Sequence, residues 1–234
     1  FSSRRRHTRY ISVTGVQTCA LPICLPHIER VAYLAELASV QLSGYDHLVL
    51  VDARSPVSFF AYPGKQSDLV PEGCQVLELA STAHDAAASL ERLVAALGAE
   101  AAEPVLQTPE RPERPRGKLT AEKVCKAVGA LLPDNAIIVD EAQTSGVMLP
   151  LYTRGAPRHD LLALTGGAIG QGLPTAVGAA IACPDRQVVS LTGDGSAMYT
   201  IQALWTMARE KLNVTNIIFN NKSYAILNVE LQRV

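Results

Sequence analysis

Four short apolar runs in the second half of the chain each end abruptly in glycine, acidic or amide residues. This feature limits the possible folds more than any other. Ala136 to Val139 runs into Asp140-Glu141, and Leu161 to Leu164 into Thr165-Gly166-Gly167. Gln187 to Leu191 runs into Thr192-Gly193-Asp194-Gly195, and Val214 to Phe219 into Asn220-Asn221. Short apolar runs with little alternation read as strands covered on both faces, the habit of parallel sheets. Helical segments are predicted between them: one capped by Thr120 and reaching about Leu132, one from about Pro174 to Ala182, and one from about Tyr199 to Glu210. Strand–helix alternation of this kind predicts an α/β fold with doubly wound parallel sheets. In such sheets ligands bind outside the carboxyl ends of the strands, where the polar and glycine residues collect.

The first half repeats the alternation on a smaller scale. Pro26 to Gly44 has helical apolar spacing, His47 to Val51 reads as a buried strand, Ser55 to Glu72 as loop, Gln75 to Leu79 as a strand and Ala83 to Leu97 as a helix. Gly98 to Lys118 carries Pro104, Pro109, Pro112 and Pro115 with Glu and Arg between them. Proline at that density forbids helix and favours an extended linker. The expected organisation is therefore residues 25–98 as part of one α/β domain, 99–118 as a Pro-rich, solvated linker, and 119–234 as a second α/β domain.

Residues 1–24 stand apart. They hold four of the 21 Lys+Arg and none of the 22 Asp+Glu. An acid-free basic start suggests a transit peptide or a basic arm, but no apolar stretch follows the Arg cluster as a signal peptide requires. Ser3 to Arg9 and Val13 to Ile23 back-translate, codon by codon and in frame, to the two constant arms of a common sequencing-library adaptor. The segment is therefore read as non-native adaptor translation, and the remainder as a piece of a longer protein. That remainder has 210 residues, with 17 Lys+Arg against 22 Asp+Glu, and is mildly acidic. This balance gives no electrostatic footprint for nucleic acid, and no run of about 18 apolar residues suggests a membrane span. Cys74, Cys125 and Cys183 are far apart with no CxxC spacing, so neither a zinc site nor a disulfide framework is expected, and a cytoplasmic location is the default.

The constellation that carries chemistry is Gly193-Asp194-Gly195 followed by Asn220-Asn221. A glycine turn between strand and helix lets backbone N–H groups approach a phosphate. Asp194 is out of place in a bare anion site. A carboxylate beside a diphosphate makes sense if a divalent cation lies between them, and an amide from the next strand end completes an oxygen-rich shell of the kind magnesium takes. The triplet alone is equally well an ordinary strand-to-helix turn. A dinucleotide fingerprint is disfavoured, because Met198 stands where the third glycine belongs and no acidic residue ends the next strand.

Gly193 to Tyr199, Ala203-Leu204-Trp205-Thr206 and Asn220-Asn221-Lys222-Ser223-Tyr224 closely resemble the thiamine diphosphate enzymes, in particular acetolactate synthase-like and benzoylformate decarboxylase-like members. The resemblance runs from Leu25 to Val234. It makes 25–98 the latter half of the family's central domain and 119–234 most of its diphosphate-binding domain. It implies that Asp194, the Asn221 side chain and the Ser223 carbonyl ligate Mg2+, and that Gly193, Gly195 and Ser196 hold the diphosphate. Gly167-Ala168-Ile169 is similar to the family's Gly-x-hydrophobic element, with the Gly167 carbonyl meeting the aminopyrimidine and Ile169 bending the cofactor. Glu141 to Thr144 matches the strand-end loop near the diphosphate, with Thr144 as a cofactor contact.

The implied chemistry is carbanion catalysis on a 2-keto acid, with the cofactor as electron sink. The implied activating glutamate belongs to a pyrimidine-binding domain of a neighbouring subunit, and Glu141 and Glu230 are not substitutes for it. The fragment is therefore expected to be inactive, while the full-length enzyme works as a homodimer or homotetramer. A carboligase joining two keto acids, a simple decarboxylase, and a cofactor-binding homologue without turnover all fit the motifs. Flavin (FAD) stays open, because Asp52 to Gly73 shows no clear fingerprint. Trp205 is expected in the core, His27, His47, His84 and His159 at the surface or in loops, and Cys125 and Cys183 buried.

Overall fold

A computed structural model describes residues 18–21, 31–103, 106, 108 and 110–232. The chain divides into two compact units, the first containing 28–105 and the second 106–234. Most of 1–24, His27 and the start of the predicted first helix lie outside the described residues. Of the segment read as adaptor, Thr18–Leu21 is described, and it forms strand β1, belonging to the second unit.

In the first unit, α1 (Ala35–Leu42), β2 (His47–Val51), β3 (Gln75–Ala80) and α2 (Ala86–Ala96) follow the expected order. β2 and β3 pair in parallel. Asp85 caps α2, its carboxylate accepting from the Ala88 N–H. β2 is not buried as expected, and β3 is no better covered. Val49 and Leu77 are each half exposed, because a two-stranded sheet has little to cover it.

The second unit runs α3 (Ala121–Leu131), β4 (Ala136–Glu141), α4 (Leu149–Thr153), β5 (His159–Ala163), α5 (Gly172–Ala182), β6 (Val188–Gly193), α6 (Asp194–Tyr199), α7 (Gln202–Arg209), β7 (Val214–Phe219) and α8 (Ala225–Leu231). Its sheet has the order β1-β5-β4-β6-β7, parallel apart from β1, which is antiparallel to β5. Both faces are covered, which explains the unbroken apolar runs. Ala136 and Ile138 pack with Cys125 and Val128 of α3, Leu132 just after it and Leu149 of α4. Ile137 and Val139 pack with Leu173, Ala176 and Ala180 of α5 and Ala203 and Met207 of α7. β4 lies centrally, β5 to one side and β6 and β7 to the other. The chain therefore reverses direction across the sheet between β4 and β6, and such a reversal opens a crevice at the strand ends.

Several expectations are corrected. The helix predicted from about Tyr199 to Glu210 is α7, which begins only at Gln202; the unpredicted α6 starts directly on β6 at Asp194 and ends at Tyr199, where the chain leaves helical geometry at Thr200 (φ −141°, ψ 34°). Trp205 is 63% exposed on α7, with the Arg209 guanidinium over its ring at 4.6 Å. His159, expected at the surface, is buried in β5. Cys125 is buried as expected, whereas Cys183 sits half-buried at the end of α5. The stretch from Glu110 to Arg116 is not merely solvated. Arg111 donates to the Gly129 and Leu132 carbonyls and so satisfies the carboxyl end of α3, while Glu110 lies against Gly155, where a Cβ would come within 2.1 Å of the Glu110 carbonyl oxygen.

Candidate cofactor site

Parallel register brings the strand ends to one edge. Gly193 pairs with Phe219, Glu141 with Thr192, and Asp140 with Ala163. The next residues of each strand therefore emerge side by side: Asp194 to Ser196 from β6, Asn220 to Ser223 from β7, Thr165 to Gln171 after β5, and Ala142 to Ser145 from β4. Gly193 is the N-cap of α6 in extended conformation, and Asp194 is its first residue. The opening N–H groups of a helix have no acceptor within it. Gly195 is exposed and has nothing within 4 Å of where a Cβ would stand, so its backbone is open to a ligand. Ser196 is buried below it.

After β7 the chain makes a side-chain-closed turn. Asn221 Oδ1 accepts from the Ser223 N–H at 3.1 Å, Lys222 between them has φ 52°, and Asn228 Nδ2 donates to Ser223 Oγ. Thr144 lies exposed in a short 3-10 turn (Gln143–Ser145) after β4. Among the described residues, no three His, Cys, Asp or Glu side chains gather as a metal cluster. A cation here would have to take a mixed oxygen set from Asp194, the Asn221 amide and main-chain carbonyls.

The loop from Thr165 to Gln171 is closed on itself and pinned from two sides. Gln171 donates through Nε2 to Thr165 Oγ1 and accepts from the Thr165 N–H through Oε1. Gly166 and Gly167 both have positive φ, and Gly167 O accepts from the Ile169 N–H at 3.0 Å. Gly167 is exposed and Ile169 half-buried. From one side, Thr200 Oγ1 donates to the Gly170 carbonyl at 2.7 Å. From the other, Glu141 does most of the pinning. Its Oε1 accepts from the Gly170 and Gln171 N–H groups at 2.6 and 3.1 Å, and its Oε2 accepts from the Gly172 N–H and the Thr192 hydroxyl at 3.0 and 3.2 Å.

Sequence reasoning placed Glu141 in a strand-end loop and missed this fastening, along with Gln171 and Thr200. Two signals could have revealed it. Period-two counting puts Glu141 on the same face of β4 as Ile137 and Val139, toward α5. Gly170-Gln171-Gly172 then opens α5 as a glycine-flanked turn. Away from these strand ends, an apolar cavity of about 360 Å3 lies between α3 and the start of β6 and β7, lined by Leu119, Val124, Leu131, Val189 and Ile217 among others. Arg116 and Lys123 also line it, but it lies at the opposite ends of β6 and β7 from Asp194 and Asn221.

Comparison with known proteins agrees with the strand-end reading. Residues 140–233 match the family described as "Thiamine pyrophosphate enzyme, C-terminal TPP binding domain". The chain is 53% identical to the "Putative acetolactate synthase large subunit IlvX" of Mycobacterium tuberculosis, over 97% of this chain and 45% of that protein. It is 29% identical to the benzoylformate decarboxylase of Pseudomonas aeruginosa, over 94% of this chain and 41% of that protein. Among solved structures, a thiamine diphosphate-dependent 4-hydroxybenzoylformate decarboxylase of Rhodococcus jostii RHA1 superimposes with a TM-score of 0.69 at 28% identity, covering 87% of this chain and 41% of that one. The chain thus spans less than half the length of these relatives. The edge built by β4, β5, β6 and β7 belongs to the thiamine pyrophosphate enzyme family, as its C-terminal TPP binding domain.

Proposed function

We propose that this chain supplies the diphosphate and metal half of a thiamine diphosphate- and Mg2+-dependent enzyme acting on 2-keto acids, an acetolactate synthase-like carboligase/decarboxylase. The observation that carries the reading is the register of β6 with β7, in which Gly193 and Phe219 are paired, so that Asp194 and Asn221 leave the sheet together. The donors fit a hard cation: a carboxylate, an amide oxygen and a carbonyl, with diphosphate oxygens to complete an octahedron. In this reading Asp194, Asn221 and the Ser223 carbonyl hold Mg2+, and Gly193, Gly195, Ser196 and Thr144 hold the diphosphate. Gly167 and Ile169 meet the aminopyrimidine side. When bound, the cofactor supplies an electron sink for loss of carbon dioxide from a keto acid. The chain's own residues bind and orient it.

Glu141 is not available as a proton carrier, because both its oxygens are engaged by internal donors and it is 1% exposed. We therefore expect the 234-residue chain alone to bind cofactor without turnover. Met198, Tyr199, Ile201 and Trp205 expose a run of apolar surface on and between α6 and α7 beside the site, which supports a homo-oligomeric full-length enzyme, dimer or tetramer. No helix among the described residues is long and apolar enough to cross a membrane, and a cytoplasmic enzyme suits the unpaired cysteines.

Titration calorimetry with thiamine diphosphate in Mg2+ tests the binding claim. Carbon dioxide release from pyruvate, by this chain and by the full-length protein, tests the chemistry. Absence of binding at millimolar cofactor refutes the reading. The benzoylformate-type decarboxylase is the second reading, favoured by the Rhodococcus superposition. Full-length protein that releases carbon dioxide from benzoylformate but forms no acetolactate would select it, and cofactor binding with neither product would select a homologue without turnover.

A further inference from the structure

We infer that Glu141 is a positioning residue. Its buried carboxylate is the fixed post to which the loop carrying Gly167 and Ile169 is tied, so cofactor affinity depends on a residue that need not touch the cofactor. The functional half of this inference rests on the proposed thiamine diphosphate site, and the mechanical half does not.

β4 reaches the sheet edge with Ile137, Val139 and Glu141 on one face. The first two pack into the apolar cluster that includes α5, and the third arrives beneath the amino end of α5. There the Gly170, Gln171 and Gly172 N–H groups converge on one carboxylate. Successive main-chain N–H groups that converge in this way make a concave anion nest. The nest is built for a guest in contact. Gly170 adopts φ +95°, and a Cβ there would come within 2.6 Å of Tyr199 Cβ, while a Cβ on Gly172 would come within 2.6 Å of Glu141 Oε2. Only glycine at both positions lets the loop close this tightly. The guest is internal, and Thr192 of β6 donates to the same carboxylate. Glu141 therefore links the ends of β4 and β6 to the loop after β5. Thr200, just after α6, holds the Gly170 carbonyl from the other side.

Among the described residues none of the three N–H groups has a main-chain acceptor, so their protection from solvent reports on Glu141 itself. Hydrogen–deuterium exchange on the cofactor-free chain reads it directly. In the wild type these amides should exchange at least about tenfold more slowly than unprotected amides. Free exchange would overturn the inference without any variant being made. Glu141→Gln keeps the shape but replaces one acceptor oxygen with an NH2 that faces an N–H. It should raise exchange at 170–172 about tenfold, leave α3 and α7 unchanged, and weaken thiamine diphosphate binding in Mg2+ by about tenfold or more. Glu141→Asp should recover part of the protection and part of the affinity.

Faster exchange with unchanged affinity would refute the positioning role. Unchanged exchange would refute the tie. If the wild type binds no thiamine diphosphate while the exchange results hold, the cofactor assignment fails and the tie stands. If Glu141→Gln does not fold, the wild-type exchange rates together with Glu141→Asp decide the matter.

Discussion

Gly172→Ala puts the tightness of the Glu141 contact to a quantitative test. Gly172 is the first residue of α5, and its φ is not in the left-handed region, so alanine is allowed by the backbone and should help the helix by at most about 1 kcal/mol. Against that gain stands the added methyl group. It would lie 2.6 Å from Glu141 Oε2 and 2.9 Å from Glu141 Cβ, whereas ordinary contact begins at 3.4 Å, so the carboxylate must retreat by about 0.8 Å. Glu141 is completely enclosed, and its retreat stretches the 3.0 Å bond from the Gly172 N–H toward the limit of hydrogen bonding. Overpacking costs about 1–3 kcal/mol and loss of a hydrogen bond to a charged group about 1.5–3 kcal/mol. The net expectation is destabilisation by about 1.5–5 kcal/mol. Gly178 provides the control on the same helix, since a Cβ there meets nothing within 4 Å. Gly178→Ala should stabilise by up to about 1 kcal/mol. Urea unfolding followed by Trp205, the single tryptophan, reads the second unit. A Gly172→Ala protein as stable as the wild type, with an unchanged urea dependence, would show that the glycine is not required by Glu141.

Asp194→Ala should abolish thiamine diphosphate binding in Mg2+ by calorimetry, about a hundredfold or more, with little change in the far-UV spectrum because Asp194 is half-exposed at the start of α6. Chelation of the wild type with EDTA should have the same effect, restored by added Mg2+; undiminished binding in EDTA would remove the cation from the site. His159 is held below its usual pKa by burial, partly offset by the Pro157 carbonyl and Asp160. The unfolded state therefore takes the proton first. The stability due to neutral His159 is complete above about pH 6.5 and is lost as pH falls from there through the lowered folded value. His159→Leu should flatten that limb of a melting-temperature profile. The Cys125 thiol, raised to about 11 by burial and then by Asp140, should resist iodoacetamide at pH 8 while Cys74 and Cys183 react, as peptide mass spectrometry would show.

The second unit was legible from β4 to β7 because its central strands, β4 and β6, are covered on both faces, whereas β1 lies in the segment read as adaptor. Unbroken apolar runs predicted β4 to β7 to within a few residues, and the polar residue closing each run marked the edge proposed as the cofactor site. Thr120 was correctly placed as a cap, its hydroxyl accepting from the Lys123 N–H. The errors lie where tertiary geometry overrides local pattern. The predicted helix starts at Tyr199, but Tyr199 closes α6, Thr200 turns its hydroxyl to the Gly170 carbonyl, and α7 begins only at Gln202. Trp205 has the composition of a core residue, yet the helix turns it outward beside Arg209. Arg111 reads as linker charge until the bare carbonyls at the end of α3 are counted. Of the site, the residue types and strand-end positions could be read from the sequence. The tie between Glu141 and a loop about 30 residues away could not.

Gly170-Gln171-Gly172 and Gly193-Asp194-Gly195 are alike as strings: each is a glycine pair around a polar residue at the mouth of a helix. As phosphate sites they would be equally plausible from sequence. The structure separates them by what already occupies the N–H groups. At the first turn an internal carboxylate accepts all three, so an incoming diphosphate would find no free donor and a like charge. At the second turn the space beside Gly195 is open. That assignment also accounts for the Asp-and-amide pairing. Asp140, Glu141 and Asp194 give the edge three carboxylates, with Lys222 as the basic side chain in the β7 loop. In the proposed site a divalent cation would offset the repulsion between these carboxylates and a diphosphate. Asp194 is the carboxylate at the open turn, and in the proposed site Asn221 would contribute an oxygen to the cation without adding a fourth negative charge.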